Sequence, residues 1–308
     1  MLILTNIFAF VRMIDLQFNN ISLQEIVLLN NTENISLNIL RLDNIHPIIS
    51  GNKWFKLQYY LKEAIAGKFL TIATFGGAYS NHIVATAEAC TKNNLECFGI
   101  IRGDEHRTSH TLELAKAYGM QLLFVNRSDF KNKDAIKEKY KHHNWYWINE
   151  GGYGLKGAEG AADIMQFVPV DTTHIIIATG TGTTFAGLLK NLLPHQKVMG
   201  INVLKGNISI NNEINSLLTE EEQHKNFEII NDYHFGGYAK HPKELIEFMK
   251  QLWLQYNLPT DIVYTSKMMF AIFDLINKNY FPTNSKIVAV HSGGLQGNFS
   301  LPVNTLPF

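Results

Sequence analysis

The sequence has few cysteines, no excess charge of either sign and no apolar run long enough to cross a bilayer. Its two cysteines, Cys90 and Cys97, lie seven apart in 308 residues. That excludes a disulfide-stapled scaffold and fits a reducing, cytoplasmic compartment; no metal site is suggested either. Lysine plus arginine and aspartate plus glutamate both number 27. No long-range field therefore draws the chain to nucleic acid or to an anionic membrane, and any anion it binds must be captured by a local site. The apolar opening from Met1 to Phe10 is too short to span a membrane and lacks a basic leader and a cleavage site. It reads as a docked or frayed arm, with Met13 an alternative start. Internal repeats and low-complexity linkers are absent. What remains is a globular chain, 46% hydrophobic and 18% charged, able to form one large domain or two intimate ones. Its expected partner is a small molecule.

From about position 53 onward, helix-period segments alternate with short β-rich runs, the pattern of an α/β protein with a parallel sheet covered by helices. Helices are predicted at 53–66, 80–93, 109–118, 128–142, 156–167, 183–193, 241–256 and 266–279. Strands are predicted at 70–74, 97–101, 121–125, 173–178, 198–203 and 286–290. The run Ile175-Ile176-Ile177-Ala178 is apolar on both faces, as a central parallel strand should be. Residues 204–226, rich in asparagine and acid, break the rhythm and read as an insertion or surface excursion.

Three segments carry chemistry. Ser50-Gly51-Asn52-Lys53 puts a lysine at a loop-to-helix junction, where partial burial lets an amine form a Schiff base with an aldehyde cofactor. Taken alone, such a lysine is usually a solvated surface residue. Gly76-Gly77-Ala78-Tyr79-Ser80-Asn81-His82 follows a strand and opens a helix. Its glycines let a ligand approach, and Ser80, Asn81 and the first helical N–H groups present donors to a carboxylate. The bland alternative is a glycine turn with Ser80 as helix cap. Ala178-Thr179-Gly180-Thr181-Gly182-Thr183-Thr184 again joins strand to helix, and its N–H groups and hydroxyls suit a phosphate dianion. It lacks the Gly-Lys-Ser/Thr of a P-loop and carries Phe185 where a dinucleotide fingerprint needs its third glycine. Tyr238 and Tyr264 are candidate acids, bases or carboxylate donors, against the commoner role of packed tyrosines. His82 and His291 are open to the same two readings, and His142-His143 reads as a solvated helix end.

In this order, Gly51-Asn52-Lys53, Gly76-Gly77 with Ser80-Asn81-His82, Thr181-Gly182-Thr183-Thr184 with Ala186-Gly187, Gly237-Tyr238, Val263-Tyr264-Thr265 and Gly293-Gly294 resemble one family. It is the fold-type II pyridoxal phosphate enzymes, and within them the group of 1-aminocyclopropane-1-carboxylate (ACC) deaminase and D-cysteine desulfhydrase. The resemblance runs from about Arg41 to Gly297. It implies a tryptophan synthase β-like fold with open, mostly parallel sheets in two domains: 1–55 with 161–308 forming the larger and 56–160 the smaller. It implies homodimers as well. Carried over, it makes Lys53 the Schiff-base lysine, sets Asn81 against the cofactor's ring hydroxyl, and assigns the phosphate to Gly180, Thr181, Gly182, Thr183 and Thr184. Ser80, with Asn81 and His82, would face the substrate carboxylate, and Tyr238 and Tyr264 would close the other side of the substrate site.

One departure bears on the reaction. The deaminase branch places a glutamate at the position of Thr265, bonded to the ring nitrogen. A hydroxyl there implies a weaker electron sink, suited to β-elimination of a small amino acid to a 2-oxo acid and ammonia. The alternatives are ACC deaminase, a cysteine-synthase-type β-replacement enzyme and a pyridoxal phosphate-binding protein without turnover. A dinucleotide-binding protein is more distant.

Overall fold

The computed structural model describes residues 18–29, 32–104 and 109–308. The expectations for the apolar arm and Met13 lie outside them. Among the described residues there are ten strands: β1 Leu23–Ile26, β2 Ser36–Arg41, β3 Thr71–Gly77, β4 Glu96–Arg102, β5 Gln121–Val125, β6 Tyr146–Ile148, β7 His174–Thr179, β8 Lys197–Asn202, β9 Phe227–Ile230 and β10 Lys286–His291. They form a six-stranded sheet of order β1-β2-β10-β7-β8-β9 and a four-stranded sheet of order β5-β4-β3-β6. Every pairing is parallel except that of β1 with β2. The α/β class and the mostly parallel sheets are as the sequence implies. Among the described residues no helix is long and apolar enough to cross a membrane.

The centre of the larger sheet is apolar on both sides because helices cover both sides. In β7, Ile175 and Ile177 pack into one core while Ile176 packs into another. Val288 and Val290 of β10 divide from Ile287 and Ala289 in the same way. This is the two-residue period of a strand with no solvent face, and each fully buried isoleucine contributes about 1.5–3 kcal/mol.

All six predicted strands are found. The helices Asn52–Ala66, Asn81–Lys92, His110–Ala117, Leu155–Ala162, Thr183–Lys190, Lys243–Tyr256 and Thr265–Asn277 fall within or beside their expected windows. The helix expected over 128–142 is instead broken into Asp129–Lys131, Lys133–Lys139 and Lys141–His143. Asn132 starts the middle piece afresh, its side chain accepting from the Ala135 N–H.

Residues 204–226 are not a surface excursion. They contain the helices Ile210–Asn215 and Glu220–Gln223, and Ile210, Ile214, Leu217 and Leu218 are buried in the main core. Asn211, Asn212, Glu220 and Glu221, which suggested a loop, are exposed, while these four apolar residues face inward.

Candidate active site

The carboxyl ends of β3, β7 and β10 point into one crevice, where open parallel sheets bind ligands. The turns that follow these strands, with the start of the helix Asn52–Ala66, line one cavity that opens to solvent. Lys53, Ser80, Asn81, His82, Gly180, Thr181, Gly182, Thr183, Thr184, Tyr238 and Tyr264 all border it. Residues far apart in sequence are thus brought to one place.

Lys53 sits in the first turn of its helix because Gly51 lets two loops interlock. Gly51 has φ +63°, and a Cβ on it would lie 1.9 Å from the Ser292 carbonyl oxygen, so no other residue fits. Lys53 Nζ donates to Asn52 Oδ1 at 2.8 Å, and Asn52 Nδ2 donates to Thr184 Oγ1 at 2.8 Å. Burial pushes the Lys53 amine down to about 8, against the attraction of Asp261, which favours the charged form. Lys56, one turn further on, is also buried. It donates to the Gly151 carbonyl at 2.5 Å, and burial together with the neighbouring Lys53 holds its amine well below the usual lysine value.

The glycine-threonine loop turns at Gly182, which has φ +74° and stands at the N-terminus of the helix Thr183–Lys190. A Cβ there would meet Ile214 at 2.7 Å and Ile210 at 3.2 Å, so the segment read from sequence as an excursion is the buttress of this loop. The Thr181 and Thr183 hydroxyls lie 3.0 Å apart. Tyr264 leans on Gly180, its hydroxyl 3.3 Å from where a Cβ would stand.

Across the cavity, Ser80 stands at the cap position of the helix Asn81–Lys92 but makes no side-chain cap bond, so its hydroxyl is not spent on the helix. Asn81 Oδ1 is buried without a partner, and its amide makes one long bond of 3.4 Å to the Gly294 carbonyl. Thr74 Oγ1 gives its single proton to the Ile148 carbonyl, so at 2.9 Å it accepts from His82 Nε2. The ring is therefore the Nε2–H tautomer with an unpartnered Nδ1. Burial, with Lys56 and Lys53 nearby, keeps the imidazole neutral by holding its pKa well below the ordinary value.

Tyr238 and Tyr264 meet edge to face, centroids 6.5 Å apart. Burial pushes the Tyr238 phenol up to about 12 and the Tyr264 phenol well above its usual value. At neutral pH both are donors and not bases.

Thr265 does not border the cavity. It is fully buried; its hydroxyl donates to Asp261 Oδ1 at 2.7 Å and accepts from the Asp261 N–H at 2.7 Å. Asp261, which sequence reasoning missed along with Asn52 and Lys56, also accepts from the N–H groups of Val263, Tyr264 and Thr265 at 2.8–3.0 Å. With four donors its carboxylate is filled, and it caps the helix Thr265–Asn277. For Lys56 the signal was the three-residue spacing from Lys53, which sets both on one helix face.

The wall suits pyridoxal phosphate. It offers a depressed amine, an anion cradle at a helix N-terminus, and a buried acceptor on Asn81 in need of a donor. The family pattern of the pyridoxal-phosphate dependent enzymes matches residues 23–293, and the chain belongs to that family. Its cofactor is pyridoxal phosphate. The chain is 29% identical over 282 residues, 84% of it and 85% of its relative, to a Pyrococcus furiosus protein provisionally named 1-aminocyclopropane-1-carboxylate deaminase. A Thermotoga maritima protein of the same provisional name is 27% identical over 310 residues, 93% of this chain and 97% of that one. A crystal structure described as an ACC deaminase homologue superposes with a TM-score of 0.79 at 24% identity, covering 91% of each chain. At that identity the likeness is one of fold.

Proposed function

We propose that this enzyme deaminates a small amino acid by α,β-elimination, releasing a 2-oxo acid and ammonia in the manner of a D-cysteine desulfhydrase. The observation that carries the reading is Lys53, an amine held near 8 between an anion cradle and a turn with a free serine hydroxyl. Pyridoxal phosphate, when bound, supplies the aldehyde that joins an amine and the ring that spreads the charge left when the Cα proton departs.

Lys53 would hold the cofactor at Nζ and, once the substrate amine has replaced it there, take the Cα proton on the same nitrogen. The N–H groups and hydroxyls of residues 181–184 would hold the phosphate, and Asn81 would meet the ring oxygen. Ser80, Asn81 and His82 would fix the substrate carboxylate so that the breaking bond stands perpendicular to the ring, a positioning contribution. Tyr238 and Tyr264 would close the far side and donate from their phenols.

Elimination is preferred over ring opening because no carboxylate borders the cavity among the described residues, and Asp261 behind it is filled by four donors. Loss of a good β-leaving group asks less carbanion stabilisation than opening a cyclopropane. The test is 2-oxo acid release from D- and L-amino acids and from ACC by the purified holoprotein. D-cysteine or β-chloroalanine should lead; preference for ACC, or no release from any of them, overturns the proposal.

A further inference from the structure

Between β9 and the helix Lys243–Tyr256 the chain runs through a loop that carries Tyr238 to the cavity. Four of its five residues from 235 to 239 have positive φ: Phe235 at 51°, Gly236 at 92°, Gly237 at 119° and Ala239 at 53°. Two of these are not glycine, and each costs about 1 kcal/mol or more, so the loop does not hold this shape by itself. The hold comes from the helix Thr265–Asn277 and the residue just before it. Tyr264, Lys267 and Phe270 recur every three residues, and therefore on one face. Tyr264 meets the Tyr238 ring edge on, and Phe270 meets Phe235 edge on at 4.9 Å. Between them Lys267, fully buried, donates from Nζ to the Gly237 carbonyl at 2.6 Å and the His234 carbonyl at 3.0 Å.

We propose that Lys267 is a positioning residue for Tyr238, a buried ammonium that clamps both ends of the strained turn and so fixes the phenol against the substrate side of the cavity. A lysine suits the task because one ammonium has three donors on a single point and can satisfy two converging carbonyls. Its desolvation, which pushes the amine down to about 8, is offset by the Asp261 carboxylate capping the same helix. Without Lys267 each carbonyl keeps only its bond within the loop, His234 from the Gly237 N–H at 2.9 Å and Gly237 from the Lys240 N–H at 3.2 Å, and the strained turn loses the charge-assisted bonds that tie it to the helix. In the intact protein Asp261 favours the charged form of Lys53 on one side and of Lys267 on the other.

The role of Tyr238 rests on the proposed elimination, so the experiment reads the clamp in two ways. The first needs no substrate. With 3-fluorotyrosine at position 238 of the holoenzyme, the wild type should give one narrow ¹⁹F resonance, and Lys267→Met should give several or a broadened one. Lys267→Arg, which restores donors, should recover a single line, and an unchanged line in Lys267→Met overturns the proposal. The second is a double-mutant cycle on β-chloroalanine elimination. Lys267→Met should lower kcat/KM by about tenfold in the wild-type background but less than about twofold in Tyr238→Phe, because the clamp acts through that hydroxyl. Equal losses in both backgrounds mean a general structural role and overturn it. If Lys267→Met does not fold, Lys267→Gln, which keeps one donor pair, takes its place in both measurements. Fluorine spectra that behave as stated, with no turnover of any amino acid, leave the clamp standing and sink the elimination.

Discussion

Lys53 donates to the side-chain oxygen of Asn52 at 2.8 Å, and the same Asn52 turns its amide to Thr184 Oγ1 in the first turn of the helix Thr183–Lys190. The amine that would hold the cofactor's aldehyde is thereby located from the helix that would hold its phosphate. Asn52→Leu removes two hydrogen bonds, each worth about 1 kcal/mol. Cofactor affinity should fall by about 10–30-fold, read by absorbance titration of the apoprotein, with the point of attachment unchanged.

That attachment is itself testable. Borohydride reduction of the holoprotein followed by peptide mapping should place the cofactor on Lys53 alone, and Lys53→Ala should abolish the covalent adduct. The free amine is the form that attacks an aldehyde, and burial has pushed Lys53 down to about 8. The rate of cofactor capture by the apoprotein should therefore rise with pH up to about 8 and level off above it. Reduction onto Lys56 in the wild type would reassign the site.

The proposed phosphate cradle depends on Gly182, where φ is positive and Ile214 stands 2.7 Å from any added Cβ. Gly182→Asp adds strain, displaces the Ile210–Asn215 helix and brings a negative charge to an anion site. Cofactor affinity should fall by at least about a hundredfold in a titration, while far-UV circular dichroism stays close to that of the wild type. An unchanged affinity moves the phosphate elsewhere.

Much of this arrangement was legible in the sequence because it is local. A short, β-branched apolar run such as Ile175-Ile176-Ile177 favours a covered strand, and glycine with hydroxyl residues between a strand and a helix suits an anion. The four strands that were missed carry weak patterns: β1 is an edge strand with one buried residue of four, Asn38 interrupts β2, and β6 and β9 are only three and four residues long. Asp261 and Lys267 escaped notice for another reason. Their partners are main-chain groups, which leave no trace in side-chain spacing. Thr265 shows the limit of a motif taken alone, since its hydroxyl is committed by the cap that Asp261 builds and not by its neighbours in sequence.

His291, at the end of β10, lies 3.1 Å from Asp43 through Nδ1, while Nε2 faces the Pro259 carbonyl at 2.8 Å. Burial alone would lower its pKa, but the Asp43 carboxylate outweighs burial and raises it above the usual 6.5. Asp43 is the converse: burial would raise it, and His291 and Arg41 hold it well below the carboxylate range. A raised histidine pKa gives stability that is fully present below 6.5 and is lost as pH rises through the folded value. A depressed aspartate pKa gives stability present above its ordinary value and lost as pH falls through the folded one. The pair should therefore contribute most in the mildly acidic range. His291→Gln should cost about 3 kcal/mol at pH 6, the scale of a broken buried pair, and clearly less at pH 9. Urea unfolding at both pH values measures it; a cost independent of pH assigns His291 a neutral packing role.

The choice between elimination and ring opening turns on the charge beside the ring. In the wild type the carboxylate behind that wall is Asp261, and its four acceptor positions are taken by Thr265 and the N–H groups of residues 263–265. Thr265→Glu would add a second carboxylate, free of those bonds, as the deaminase branch has at this position. It would also stand against Asp261, and like charges in a buried site are costly, so thermal stability should fall and the new carboxyl should take up a proton more readily than usual. The quantity to compare is the ratio of ACC opening to β-chloroalanine elimination, which is insensitive to the fraction of protein that folds. The wild type should eliminate chloride and open ACC poorly or not at all, and Thr265→Glu should raise the ratio by about tenfold or more, the scale of one charge-assisted hydrogen bond of about 1.5–3 kcal/mol. A wild type that prefers ACC, or a ratio unmoved by the substitution, would show that the residue at 265 does not set the chemistry.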